Sequence, residues 1–313
     1  MRSKTIILAV LAFFAVTAIS GCQYLKKRVL KTEKAEYKLN AAGKTRIEID
    51  NLNGDLDVIA IEDTLNTIYI MAEIRDRVRI GEQDKPIEGI EIKIDSSGNV
   101  IKVNTEYKHF GTFLGDKSEA KVKYIIKVPS KLQVYVTLTN GKINANNLQS
   151  DSKFENVNGS IYLGKCSGDI KLETVNGSIK ANIDSTKGIN AETVNGSITI
   201  GNLKLVNANV DASCDNGKVK YENISFSSLS SEKKNLSGML GSGGSIIKLT
   251  TVNGSIKLDG NPVNINKKEH ADFDIKFEFD DNDEPVKIET KHTNEQKGVE
   301  SDTTKAKDSS RVK

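Results

Sequence analysis

Surface chemistry needs a nucleophile, an acid–base pair or a cage of metal ligands, and this chain is sparing with all three. Its 313 residues include three histidines, His109, His270 and His292. No His-x-x-x-His or Cys-x-x-Cys spacing suited to zinc accompanies them. Ser160, Ser178, Ser197 and Ser255 recur, but each follows a glycine and has no neighbouring base, so they read as turn residues. The run Gly238 to Gly244 has the glycine density of a phosphate loop without its Gly-Lys-Ser/Thr ending, and reads as a flexible loop. Asp280-Asp281-Asn282-Asp283-Glu284 could attract calcium, yet lacks the glycine and distal glutamate of an EF-hand loop. Asp169 and Asp184 stand isolated near turns, whereas glycoside cleavage needs paired carboxylates. No catalytic, metal or cofactor-binding residue is assigned, and no cofactor is implied.

The elements that would position any site are dominated by one phrase. Val-Asn-Gly-Ser-Ile stands at 157–161, 175–179, 194–198 and 252–256. Looser copies stand at 139–143 (Thr-Asn-Gly-Lys-Ile) and 215–219 (Asp-Asn-Gly-Lys-Val). From Asn140 to Asn216 the Asn-Gly pairs are spaced by 18, 18, 19 and 21 residues. A period near 20 residues is the mark of a solenoid.

Aligned on Asn-Gly, the next apolar column is Ile143, Ile161, Ile179, Ile198, Val219 and Ile256. Two residues on come Ala145, Leu163, Ala181, Ile200, Tyr221 and Leu258, and further on Leu148, Cys166, Ile183, Leu203 and Ile224. After a second turn, marked by Gly168 or Gly188, a second strand carries Ile170 and Leu172, Ile189 and Ala191, or Val210 and Ala212. Lys171, Glu173, Lys180, Asn190, Glu192 and Thr199 alternate with them. Period two puts one set inside and the other in solvent. Asn158, Asn176, Asn195, Asn216 and Asn253 then form a structural corner, stacking as an amide ladder. The glycine that follows suits a corner with φ > 0. A meander of Asn-Gly hairpins is the competing architecture.

Before the regular coils, Thr45 to Ile49, Leu56 to Ile61, Thr67 to Ala72, Gly89 to Ile94, Val100 to Thr105 and Ala120 to Val128 read as strands, and Asn53-Gly54-Asp55 as an early corner. After them, Phe273, Ile275, Phe277 and Phe279 alternate with charge, as a strand capping the last coil would. A short helical stretch is compatible with 24–36. Residues 291–313 are too polar to order themselves and read as a disordered tail.

The chain begins with Arg2, Lys4 and an apolar run from Ile6 to Ile19, too short to span a membrane comfortably. With Ile19-Ser20-Gly21-Cys22 it resembles a bacterial lipoprotein signal. The resemblance implies that Cys22 becomes the lipidated N-terminus of an exported protein, anchored at the bacterial cell membrane or cell surface. Lys26, Lys27, Arg28 and Lys31 follow, as membrane-surface contacts to anionic head groups or as a solvated linker. Lys plus Arg total 45 against 42 acids, so nucleic acid is not implied as a partner. An exported chain could pair Cys166 with Cys214, but they lie at least two coils apart, and coils stack about 4.8 Å apart. Both are expected to be free.

The phrase Asn-Gly-Asp-Leu-Asp-Val (53–58), Tyr-Ile-Ile-Lys-Val-Pro (124–129), the Asn-Gly-Ser-Ile coils and the Gly-rich segment before the final coil together resemble the bacterial putative-adhesin domains of unknown function. That resemblance covers roughly 40–265 and implies a β-repeat domain of the cell envelope without catalytic residues. The expected organisation is a signal peptide over 1–21, a lipid-anchored linker over 22–39 and an all-β solenoid domain over 40–290. Within the domain, irregular strands occupy 40–135, regular coils 136–265 and the cap 266–290. The expected role is binding, adhesion, envelope scaffolding or stress sensing, with a cell-wall or extracellular glycan or an envelope protein as partner. A β-helix enzyme acting on an envelope polysaccharide is the alternative.

Overall fold

A computed structural model describes residues 28–62, 66–108 and 120–265. In chain order the strands are β1 (Arg28–Asn40), β2 (Arg46–Asn53), β3 (Leu56–Ile61), β4 (Thr67–Arg79), β5 (Ile90–Asp95), β6 (Val100–Tyr107) and β7 (Lys121–Pro129). Then come β8 (Gln133–Asn140), β9 (Ile143–Asn146), β10 (Ser152–Asn158), β11 (Ile161–Cys166), β12 (Asp169–Asn176), β13 (Ile179–Ile183) and β14 (Gly188–Asn195). The last are β15 (Ile198–Gly201), β16 (Ala208–Asn216), β17 (Val219–Glu222), β18 (Phe226–Ser231), β19 (Asn235–Leu240), β20 (Ser245–Asn253) and β21 (Ile256–Asp259).

They form two sheets, ordered β1-β4-β7-β3-β9-β11-β13-β15-β21-β17 and β18-β19-β16-β20-β14-β12-β10-β8-β2-β6-β5. Each regular coil lays one strand in the second sheet, turns at Asn-Gly and lays the next in the first. Successive coils pair in parallel, Ile161 with Ile179 and Ile170 with Ile189. Parallel pairing excludes the hairpin meander and makes the domain β-solenoid-like.

The sheets enclose one apolar core. The Ile columns 143, 161, 179, 198 and 256 are fully buried, as are Leu163, Leu172, Ile183 and Leu258. Burying a side chain of this size contributes roughly 1.5–3 kcal/mol, so repetition of the columns carries the fold. Tyr221, in one of those columns, is 41% exposed because β17 is an edge strand. Its ring meets Phe226 edge-on, 5.4 Å between centroids.

Several expectations are corrected. Residues 28–40 are neither linker nor helix: β1 pairs antiparallel with β4 over thirteen residues. Its Val29, Ala35, Tyr37 and Leu39 alternate with more exposed residues, and a partner strand settles the period that sequence alone left open. The spatial order of coils also departs from chain order. β20 lies between β14 and β16, so the last Val-Asn-Gly-Ser-Ile coil is inserted between the coils of Asn195 and Asn216. At the other end, β2 and β3 stack directly on β8 and β9, across the intervening β4 to β7. Gly238 is not in a loop but within β19, which pairs with β16 and with β18 as a hairpin that extends the second sheet beyond its parallel strands. The strand expected over Phe273 to Phe279 lies outside the described residues. Residues 260–263 run back from β21 to β13, where Asn182 donates to the Val263 carbonyl at 2.9 Å and accepts its amide at 2.8 Å.

Candidate binding surface

The Asn-Gly corner is a continuous construction along the stack. Asn140 donates to Asn53 Oδ1 (2.8 Å), Asn158 to Asn140 (2.9 Å), Asn176 to Asn158 (2.9 Å) and Asn195 to Asn176 (2.8 Å). Asn253 then donates to Asn195 (2.8 Å) and Asn216 to Asn253 (2.9 Å). All five expected corner asparagines are in this ladder. Asn53 and Asn140 extend it, as their own Asn-Gly phrases signalled.

Behind the ladder the glycine backbones nearly touch. A Cβ on Gly159 would lie 1.7 Å from the carbonyl oxygen of Gly141, and one on Gly196 would lie 1.9 Å from that of Gly177. Among the corner glycines, Gly54, Gly141 and Gly159 have positive φ, while Gly177, Gly196, Gly217 and Gly254 do not. Close approach of backbones, rather than φ > 0, is therefore the shared reason for glycine. The spacing is locked from inside: Thr174, Thr193 and Thr251 donate to the carbonyls of Gly159, Gly177 and Gly196 at 3.0, 2.9 and 2.8 Å. Sequence reasoning passed over these threonines, although Thr recurs two residues before Asn in those copies. The repeated serines are turn residues: Ser160 Oγ accepts the Ser178 amide at 3.1 Å.

Outside the ladder runs a stripe of exposed apolar side chains. Leu52, Val157, Val175 and Val194 are each about 40% exposed. The second sheet's outer face beside it is charged but compensated within each strand. Lys153 meets Glu155 at 2.6 Å and Lys171 meets Glu173 at 2.8 Å, while Asn190 donates to Glu192 at 3.0 Å. The Lys171 hydrogen bond holds the Glu173 carboxyl below the usual glutamate range. Arg46 caps the row, its guanidinium 4.6 Å above the Tyr135 ring.

On the opposite corner, Asn147, Lys165, Asn202 and Asn223 adopt left-handed conformations. A shallow groove of about 460 Å³ opens there, lined by Glu62, Ser130, Asn147, Gln149, Lys165 and Asp184 among others. Its polar lining and open shape suit transient contact better than enclosure of a reacting group.

The remaining candidates separate. Lys31 is buried on the inner face, paired with Glu33 at 2.7 Å and donating to the Lys85 carbonyl, so it is withdrawn from any head-group contact. Arg28 opens β1. Cys22, Lys26, Lys27, His109, His270, His292 and Asp280 to Glu284 lie outside the described residues. Cys166 and Cys214 are free and buried, as expected. Among the described residues, no three or more His, Cys, Asp or Glu side chains are grouped to hold a metal ion.

No curated protein matches the chain. Solved structures with a similar course include a putative cell adhesion protein from Clostridium sporogenes, 15% identical, with a TM-score of 0.38 over 73% of this chain and 99% of that one. A putative adhesin from Bacteroides fragilis is 14% identical, with a TM-score of 0.31 over 74% and 97%. A putative lipid binding protein from Parabacteroides distasonis is 10% identical, with a TM-score of 0.26 over 73% and 96%. Residues 133–259, from β8 to the end of β21, match the family model described as Toastrack DUF4097, in accord with the resemblance read from the repeats.

Proposed function

We propose that this chain is an exported, lipid-anchored envelope protein whose β-repeat domain acts by binding an extended partner along its corner. The observation that carries this reading is the exposed stripe Leu52, Val157, Val175 and Val194 beside the asparagine ladder. The core columns are filled with aliphatic side chains, which leaves outer surfaces for recognition. A polymer lying along the stripe meets an equivalent valine and amide at successive coils, so weak contacts add along its length. A glycan strand of the envelope or an extended segment of an envelope protein has that form. The anchor rests on Ile19-Ser20-Gly21-Cys22. Six Cα-to-Cα steps, about 20 Å at full extension, separate Cys22 from Arg28 and would hold the β1 end of the stack near the head groups.

The test is retention of the purified full chain on isolated envelope glycan, compared with a variant carrying Val157→Lys, Val175→Lys and Val194→Lys. Loss of retention with an unchanged unfolding midpoint is expected. Equal retention would overturn the stripe as the binding surface, and turnover of the glycan would establish the enzymatic alternative. Fatty-acid labelling of native protein, absent from Cys22→Ala, tests the anchor separately.

A further inference from the structure

Among the described residues, four strands end the two sheets: β1 and β17 in one, β5 and β18 in the other. An edge strand offers unpaired amides and carbonyls to any other strand, and charge is the usual protection. Three of the four carry it: Arg, Lys and Glu along β1, Glu91, Lys93 and Asp95 in β5, Lys220 and Glu222 in β17. β18 reads Phe226-Ser227-Ser228-Leu229-Ser230-Ser231, with no charge and no proline. Ser227 to Ser231 are all exposed, and Leu229 is 41% exposed.

The backbone parity of β18 points the right groups outward. The Glu232 amide donates to the Asn235 carbonyl at 2.8 Å, closing the turn to β19. Residues in an antiparallel pair alternate between bonding the partner and facing away. Counting back from Glu232, Ser230, opposite Ser237, bonds β19, and Ser231 and Leu229 present their amides and carbonyls to the open edge.

The sequence of this edge is its own complement. Ser227-Ser228-Leu229-Ser230-Ser231 reads the same in both directions about Leu229. Antiparallel pairing with an identical strand about a two-fold axis at Leu229 sets Leu229 opposite Leu229 and Ser228 opposite Ser230, while Ser227, the extra residue of a bulge against β19 with its hydroxyl on the Met239 and Gly241 carbonyls, ends the regular stretch. Every cross-strand pair is then Leu–Leu or Ser–Ser, and no charge meets a charge.

We propose that β18 is a self-association edge, through which two copies of this chain join their eleven-stranded sheets into one continuous sheet by antiparallel β18–β18 pairing. The joined sheet has 22 strands, about 100 Å along the stack. β1 stands at the end opposite β18, so the two β1 ends point away from each other. Under the lipid-anchor reading, which the pairing itself does not need, this is the geometry of contact between facing membranes.

The test uses the full chain in detergent, sized by sedimentation. Wild type is expected at dimer mass and Leu229→Lys at monomer mass, because two lysines would meet at the axis. Mixing Leu229→Lys with Leu229→Glu restores the dimer. Leu229→Cys forms a reductant-sensitive dimer, since directly opposed antiparallel residues lie within disulfide range. Leu52→Cys, exposed on the far corner, serves as the control. A monomeric wild type, a dimer that survives Leu229→Lys, or cross-linking of Leu229→Cys no faster than Leu52→Cys each overturns the proposal. So does capture by Leu229→Cys of a different envelope protein in place of a second copy.

Discussion

The side-chain amide of Asn253 donates to the side-chain Oδ1 of Asn195 at 2.8 Å, although they lie 58 positions apart in sequence. Asn216, closer to Asn195 in sequence, reaches it only through Asn253. The corner ladder is therefore assembled in spatial rather than chain order, and its last rung but one, Asn253, arrives last in the chain. An interior rung holds two amide bonds and a terminal rung one. Asn195→Ala is expected to lower stability by about 1–2 kcal/mol and Asn216→Ala by about half as much. Urea unfolding of both variants checks this; equal losses would mean that the ladder bonds contribute nothing beyond local turn preference.

The columns were legible because like residues recur at a fixed period, and burial follows alternation strand by strand. The insertion of β20 was not legible, since a repeated phrase fits any place in a stack equally well. One trace of it exists. Thr251 repeats the donor role of Thr193, whereas the corresponding position before Asn216 is Cys214. Thus the coil of Asn253 matches that of Asn195 better than the coil of Asn216 does. The inward course of Lys31 was equally hidden, because a lysine on a strand is ordinarily assigned to solvent.

The glycine corner separates two causes of glycine preference. Gly177 lacks positive φ, but a Cβ there would lie 2.0 Å from the Gly159 carbonyl oxygen. Gly43 has φ of +73° and nothing within 4 Å of a Cβ. Gly177→Ala must force two coils apart and is expected to cost about 3 kcal/mol or more. Gly43→Ala bears only backbone strain, about 1 kcal/mol. Chemical denaturation of the two variants side by side distinguishes crowding from conformation.

Lys31 and Glu33 form an ion pair whose side chains are 7% and 12% exposed, and Glu33 also accepts the Ile87 amide at 2.9 Å. Removing one partner leaves a buried charge without its counterion, at a cost of about 3–5 kcal/mol. Glu33→Leu alone is expected to fall in that range. Lys31→Met combined with Glu33→Leu should recover part of the loss, because no charge then remains buried. A double variant less stable than the single one would show that the pair is a net source of stability.

Cys166 gives the domain an alkaline limit. Burial pushes its thiol up to about 12, against an ordinary value of 9.0. In the unfolded chain the thiol ionises near 9, while in the fold it stays neutral, so its contribution is complete below pH 9. That contribution falls as pH rises from 9 towards 12, by up to about 1.4 kcal/mol per pH unit. Tyr107, also raised to about 12 by burial, adds its own loss only above its ordinary value of 10.0. The interval between pH 9 and 10 therefore isolates thiol chemistry from this tyrosine, and a smaller share of it belongs to Cys214, whose thiol burial also raises. Cys166→Ala is expected to flatten the decline of unfolding free energy across that interval, whatever constant offset the lost sulfur introduces at neutral pH. An unchanged slope in Cys166→Ala would mean that the thiol meets water in the folded state. The native protein would then also react with a thiol reagent at pH 8 as fast as the unfolded chain does.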